Sequence, residues 1–487
     1  MDWNIDPKTE KPIYKQIADY IEKGIADGTF PTDKKLPSER FLAKELKVNR
    51  TTIVAAYDEL ESNGLIQRKR GSGTTISKDI WGLTKKRIPS WNSYIEAGLF
   101  LPNLPIAQKV RKETEEKKLI NLASGELSED LFPIKTLRKL TSTRSFSGRL
   151  GYDHPQGSAI LRTTIAKHVK QYRDIETDPL SILITSGAQQ ALHLVVQCLL
   201  KPNDSIVIED PSYHYNLPIF KSTGIKVHHL PVKGKRLDTN KLLELHKKHR
   251  IKMIFLNPAF QNPTGTLLSE KQKKAILEIS AEYGIPVVED DPYSLTSFNR
   301  EKVTTLKSMD QNGNVLYISS LSKVVASGLR IGWIIGPTSV IERLSDAKQQ
   351  VDFGHSSYTQ WIANDFLESK TFDPHLENLV NALEKRSNQI VESLNYFLKN
   401  KVEFNNPLGG IHIWCKLEKD IDETKLLENS IKQGVIYTPG SLLGSKKQYV
   451  RFTFARENEM KIKEGIERFS NALDYTLKCS ERNVFLD

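Results

Sequence analysis

Hydrophobic positions change their spacing along the chain, and each spacing predicts a different element. Ile13, Ile17, Ile21 and Ile25 recur every four residues and predict one buried face of a helix. Gly28, Pro31 and Pro37 interrupt that pattern. Ser38 then suits the N-cap of a short helix through Leu46, with Phe41, Leu42 and Leu46 on its apolar side. Asn49 caps a third helix, in which Ile53, Tyr57 and Leu60 keep helical spacing until Asn63-Gly64 ends it. Leu65 to Arg70, the turn Gly71-Ser72-Gly73, and Thr74-Thr75-Ile76 read as a β-hairpin. Three helices followed by a hairpin describe a winged helix-turn-helix over residues 1–77.

The periodicity weakens over residues 78–118, where prolines at 89, 102 and 105 and the basic run Lys85-Lys86-Arg87 predict an interdomain linker. A connection of about 40 residues is long, and usually joins parts that must reach or move. Beyond Leu119 the pattern alternates. Apolar runs bounded by polar or Gly/Pro turns predict strands at 182–185, 205–209, 226–230, 253–256, 286–289, 315–319 and 331–336. Helical stretches such as 188–200 and 270–283 lie between some of them. This is an α/β pattern: one large, mostly parallel seven-stranded sheet, with residues from about 340 onward forming a smaller α+β lobe. Residues 119–487 are read as one two-lobed unit, and ligands of such sheets bind outside the carboxyl ends of the strands.

Composition narrows the class. With 487 residues, 38% hydrophobic and 26% charged, the chain is neither collagenous, nor disordered, nor disulfide-stapled. Cys198, Cys415 and Cys479 are far apart and odd in number, which excludes a cysteine-based metal site and suits a reducing compartment. No apolar run approaches the roughly 20 residues of a membrane helix. The start Met1 to Asp6 lacks a basic and apolar leader pattern, so a cytoplasmic location is expected. The net charge of +11 is a poor guide to partners, because residues 1–77 are nearly neutral. Local charge is a better one: Arg40, Arg50, Arg68, Lys69 and Arg70 sit at the helix-turn-helix and wing, where a duplex would lie. Thr51 and Thr52 open the third helix and are short enough to reach base edges or phosphates.

The carboxyl ends of the expected strands carry a set of polar residues. Ser186-Gly187-Ala188-Gln189 opens a helix, and a hydroxyl, bare amides and a helix amino terminus make a phosphate cradle. Tyr213 offers a ring to stack on a flat ligand, and Asn262 lies in a proline-bounded loop. Asp290 and Tyr293 follow the fifth strand, Ser320, Ser322 and Lys323 the sixth, and Arg330 opens the last. Pyridoxal 5′-phosphate needs each of these groups. Its aldehyde needs the Lys323 amine, and its protonated pyridine nitrogen a carboxylate, Asp290. Asn262 and Tyr293 would donate to its ring oxygen. Ser186 to Gln189, Ser320, Ser322 and Arg330 would hold its phosphate.

Two resemblances follow. Leu36-Pro37-Ser38-Glu39-Arg40, Asn49-Arg50-Thr51-Thr52, Tyr57 to Leu65 and the Gly71-Ser72-Gly73 wing tip resemble the GntR family of bacterial repressors and activators, over most of residues 11–76. That implies double-stranded DNA as partner, contacted by Arg40, Arg50, Thr51, Thr52 and the wing tip, with Asn49 replacing the usual Ser or Thr. The strand-end set is similar to fold-type I aminotransferases over about residues 120–475. That likeness implies Lys323 as the Schiff-base lysine. It selects Asp290 over Asp291, because the family's aspartate lies three residues before its ring-oxygen tyrosine. It also implies that Tyr152 reaches the partner subunit's phosphate in a homodimer, and that Arg451 clamps a substrate carboxylate. Thr438 to Leu443 lacks the aromatic that relatives often carry there, a departure on the substrate side.

Together the halves resemble the MocR subfamily of transcription regulators. The resemblance implies a DNA-binding homodimer that holds pyridoxal 5′-phosphate and senses a small amino compound through an external aldimine that displaces Lys323. Two other readings stay open: an active aminotransferase with a DNA-binding tail, and a regulator that senses pyridoxal phosphate itself.

Overall fold

A computed structural model describes residues 9, 11–26, 28–31, 34–69, 73–77, 98–116, 119–143, 151–233, 236–444 and 448–484. They fall into two compact units, within Met1–Leu99 and Phe100–Asp487. The basic run Lys85-Lys86-Arg87 and the wing residues Arg70, Gly71 and Ser72 lie outside the described residues.

In the first unit, helices α1 (Ile13–Ala26), α2 (Glu39–Leu46) and α3 (Arg50–Ser62) precede strands β1 (Ile66–Lys69) and β2 (Gly73–Ile76). The isoleucine stripe of α1 meets Leu42, Ile53, Tyr57, Leu60 and Ile66 in a single core. Both expected caps form: the Ser38 side chain accepts from the Phe41 amide and Asn49 from the Thr51 amide, which satisfies otherwise orphaned donors. Phe41 corrects the sequence reading, since it is 60% exposed while Leu42 and Ala43 are buried. Successive helical residues are 100° apart, so one of two adjacent apolar side chains on a narrow stripe must face outward. The hairpin pairs antiparallel, Ile66 opposite Ile76 and Lys69 opposite Gly73.

The second unit includes a helix at Pro105–Glu116, from which Lys109 pairs with Glu428 at 2.7 Å. After the short strand β3 (Ile120–Asn121), the large sheet uses β4 (Ile182–Thr185), β5 (Ser205–Asp210), β6 (Lys226–Lys233), β7 (Arg236–Leu237), β8 (Met253–Leu256), β9 (Val287–Asp290), β10 (Val315–Ser320) and β11 (Gly332–Ile335). Their spatial order is β4-β11-β10-β9-β8-β5-β6-β7. The seven expected strands are all present, and the two-residue β7 adds an antiparallel edge to β6. Ile206 and Ile208 pack into one apolar cluster and Val207 into another, on the opposite face. Burial on both faces is why these strands read as continuous apolar runs rather than alternating ones.

The direction of β11 positions the site. It runs antiparallel to both β10 and β4, with Gly332 opposite Ser320 and Thr185. Arg330, two residues before β11, therefore stands at the edge where its neighbours end. The smaller lobe is a four-stranded sheet in the order β12 (Val402–Phe404), β13 (His412–Leu417), β16 (Tyr449–Thr453), β15 (Thr438–Pro439), while β14 (Val435–Ile436) pairs with β3. Among the described residues no helix is long and apolar enough to cross a membrane.

Candidate ligand and DNA sites

The carboxyl edge of the large sheet gathers the expected phosphate donors. Gly187 opens its helix at φ +74°, and a Cβ there would stand 2.7 Å from Arg330 Nη2, so a side chain is excluded by contact as well as by backbone. Arg330 Nη2 donates to Ser186 O at 2.9 Å and Nη1 to Ser327 O at 3.2 Å, and the side chain is exposed. The Ser186 hydroxyl makes no capping bond, although its amide already donates to Gln190 Oε1 at 2.7 Å. Ser320 and Ser322 are buried beside Lys323, the Ser322 amide donating to Ser320 Oγ. Tyr213 OH donates to Gln189 Oε1 at 3.1 Å, and the Tyr213 amide to Asn262 O at 2.8 Å. Ala188 sits in the first turn of the same helix.

Three charged groups face this edge. Asp290 and Asp291 are both buried, yet differ in what holds them. Asp291 takes Arg173 Nε at 3.2 Å, Ser294 Oγ at 2.6 Å and Tyr317 OH at 2.7 Å, so its carboxylate is occupied by the fold. Asp290 Oδ1 has no hydrogen-bond partner among the described residues, and its Oδ2 lies 3.4 Å from His214 Nε2. Behind it, burial pushes the Glu209 carboxyl up to about 8. Lys323 Nζ donates to Gly125 O. Burial lowers its ammonium from the usual 10.5 to about 8, Glu126 and Asp290 opposing the shift while Arg451 and Arg330 add to it.

Arg451 is buried on β16. Its guanidinium donates to Asn262 Oδ1 at 3.0 Å, Thr438 Oγ1 at 2.9 Å and Ala123 O, while Nε has no partner and no carboxylate of the described residues pairs with it. Burial lowers it to about 10. Tyr293 is buried, its phenol pushed above the usual range by desolvation, with OH 3.2 Å from His412 Nε2. His412 Nδ1 lies 2.8 Å from Thr453 Oγ1. Sequence reading missed His412. It comes from the other lobe, and strand register alone, His412 opposite Thr453, brings it to the site. His214 was missed too, although it adjoins Tyr213.

In the first unit, Arg40, Asn49, Arg50, Thr51, Lys69 and Gly73 are exposed and Thr52 is partly so. Arg50 donates through Nη2 to Glu39 at 2.9 Å. Arg68 is engaged inside the module, 2.8 Å from Asp58 and 3.5 Å from Glu61, and its guanidinium lies over the Tyr57 ring. Tyr152 of the second unit is 89% exposed, its ring 5.6 Å from that of Phe353.

A winged helix-turn-helix and a fold-type I aminotransferase-like unit on one chain define a class of DNA-binding regulator. The family described as bacterial regulatory proteins, gntR family, matches residues 13–76, and aminotransferase class I and II matches residues 117–469. The HTH-type transcriptional regulator YdfD of Bacillus subtilis is 35% identical over 93% of this chain and 95% of its own length. The HTH-type transcriptional regulator NorG of Staphylococcus aureus is 30% identical over 89% and 98%. Among solved structures, kynurenine aminotransferase of Pyrococcus horikoshii, in complex with PMP, has a TM-score of 0.72 at 30% identity, covering 77% of this chain and 95% of that one. The chain belongs to the GntR-family transcriptional regulators that carry an aminotransferase class I and II domain, the MocR-type arrangement.

Proposed function

We propose that this regulator is a cytoplasmic homodimer that holds pyridoxal 5′-phosphate and reads a small amino compound bearing a carboxylate. In this reading residues 1–77 read DNA, 78–118 tether, and 119–487 hold the effector. One observation carries it: the same edge presents an unpartnered buried carboxylate oxygen, a lysine shifted toward neutrality and a buried guanidinium without a carboxylate. Each of these costs stability unless a ligand completes it.

When bound, the cofactor supplies an aldehyde that condenses reversibly with amines and a ring whose absorbance reports the condensation. Asp290 Oδ1 would hold the proton of the pyridine nitrogen. Tyr213 would stack, Asn262 and Tyr293 would face the ring oxygen, and the Gly187 to Gln189 amides, Ser320, Ser322 and Arg330 would take the phosphate. Lys323 Nζ is the amine an effector would displace, and Arg451 would orient the effector's carboxylate. Tyr152, exposed here, would serve the partner subunit's phosphate site.

The test incubates the cofactor-loaded protein with an amino-acid panel and 2-oxoglutarate, following absorbance, keto-acid release and footprinting at its own promoter. A spectral shift without turnover, accompanied by a changed footprint, supports a sensor. Sustained turnover comparable to dedicated transaminases would replace it with an aminotransferase that carries a DNA-binding tail. A footprint that answers to the cofactor alone would favour a sensor of pyridoxal phosphate.

A further inference from the structure

We propose that the amino-terminal edge of the large sheet, opposite the ligand site, is a second contact surface for the phosphate backbone of duplex DNA. Six exposed cations converge there: Lys201, Lys226, Lys247, Lys248, Arg250 and Lys252. They come from separate segments. Lys226 starts β6, Lys201 and Lys252 precede β5 and β8, and the other three close the helix Thr239–His249 that leads into β8.

The fold ties these segments together. The Lys226 amide donates to Asp204 O and the Lys252 amide to Ser205 O, both at 2.8 Å. His228 Nε2 lies 3.2 Å from Ser205 Oγ, and its ring stacks on His249 at 4.0 Å. Burial holds the His228 imidazolium below its usual range, and His249, His229, Lys226 and Lys248 deepen the shift, so these cations share one field.

A bland explanation covers part of the patch. A helix carboxyl terminus carries about half a negative charge and attracts cations, which suits Lys247, Lys248 and Arg250. It offers nothing for Lys201, Lys226 and Lys252 at strand starts. Asp204, whose carboxylate accepts the Lys201 amide at 2.9 Å, offsets one charge. Among the described residues none of the six forms a salt bridge with a carboxylate, whereas Lys241, at the other end of the helix, pairs with Glu244. A cavity beside Lys201 and Lys252 is otherwise walled mostly by apolar residues and by Asp204, and the other four cations lie outside it, so unpaired lysine and arginine strung along one edge match a regular array of phosphates better than they match a small ligand. Duplex DNA is the polyanion this chain already binds, so the proposal rests on the DNA-binding role of the first unit.

The test uses the full chain and the DNA upstream of its own gene, as a fragment trimmed to the footprint and as one extended well beyond it. Wild type should bind the extended fragment more tightly and with a steeper salt dependence. Lys226→Glu, Lys248→Glu and Lys252→Glu together should cut that slope by about 3, at roughly 0.9 per phosphate contact, and lower extended-fragment affinity about tenfold or more. Trimmed-fragment affinity and cofactor absorbance should stay at wild-type values, which also shows that the variant is folded. Unchanged slope and affinity on the extended fragment would overturn the proposal. Arg50→Ala separates the two readings: it should weaken the trimmed fragment yet keep the slope difference between fragments. If wild type bound neither fragment, both readings would fall.

Discussion

The depressed Lys323 gives a quantitative expectation for how fast the apoprotein captures pyridoxal 5′-phosphate. Only the neutral amine attacks an aldehyde. With its ammonium at about 8, roughly 10% of Lys323 is neutral at pH 7, against roughly 0.03% for a lysine at 10.5, an advantage of about 300-fold. The sign follows. Capture should quicken as pH rises from 7, bend near 8, and level off above about 9 while the Lys323 charge is already lost. An unshifted lysine would keep gaining about tenfold per pH unit through pH 10. The same shift makes the unfolded chain the better proton binder between about 8 and 10.5, so this lysine's contribution to apoprotein stability should rise with pH across that window. Stopped-flow absorbance on apoprotein reads the rate, with Lys323→Ala as the control that should show no capture at this site. A rate still climbing tenfold per unit beyond pH 9 would refute the argument. So would a Lys323→Ala profile that matches wild type.

Three further outcomes are expected. Gly187→Ala places a β-carbon at φ +74° against Arg330, and should cost about 1–2 kcal/mol in thermal unfolding, with cofactor affinity falling because Arg330 must move; unchanged affinity in a fluorescence titration would count against the phosphate cradle. Arg451→Gln removes a buried cation that no carboxylate of the described residues pairs with, but also its bonds to Asn262, Thr438 and Ala123, so thermal stability should fall by about 1–3 kcal/mol while carboxylate-bearing effectors lose about 2–3 kcal/mol, roughly 30- to 150-fold, in spectral titration. His412→Phe leaves the Tyr293 and Thr453 hydroxyls without their shared partner, and should cost about 1–3 kcal/mol and shift the pH midpoint of the bound cofactor's absorbance. His412→Gln, which can replace one of those bonds, should restore part of both, whereas a His412 acting only as filler would show no shift in that midpoint.

What was legible in the sequence was set by local spacing and by burial on two faces. The central strands of the large sheet announce themselves because neither face meets water, and Ser38 and Asn49 announce their helices because capping is local. The choice of Asp290 over Asp291 comes only from the resemblance to fold-type I aminotransferases; in the fold the two differ in that Asp291 is held by Arg173, Ser294 and Tyr317, while Asp290 Oδ1 has no hydrogen-bond partner among the described residues. What stayed hidden depends on register between distant segments. His412 meets Tyr293 across a separation of 119 residues, and Arg68 finds Asp58 and Glu61 only once the wing folds back on α3. The orientation of Phe41 was hidden for a smaller reason, since it and Leu42 compete for one stripe.

The bonds between the lobes bound how strongly an effector can act. Moving an equilibrium between two arrangements from 1:99 to 99:1 takes about 5.5 kcal/mol of differential binding. Arg451 on the small lobe donates to Asn262 on the large sheet's loop, and Tyr293 meets His412 across the same divide. A carboxylate arriving at Arg451 competes with Asn262 Oδ1 and Ala123 O for the same guanidinium donors. At about 1.5–3 kcal/mol for a bond to a charged group, exchanging the Asn262 bond, the one of these two that crosses the lobes, supplies about a quarter to a half of that shift. An amine that reaches Lys323 without a carboxylate leaves both bonds in place. It would then alter the cofactor's absorbance and leave the lobes, and with them the DNA footprint, where they were.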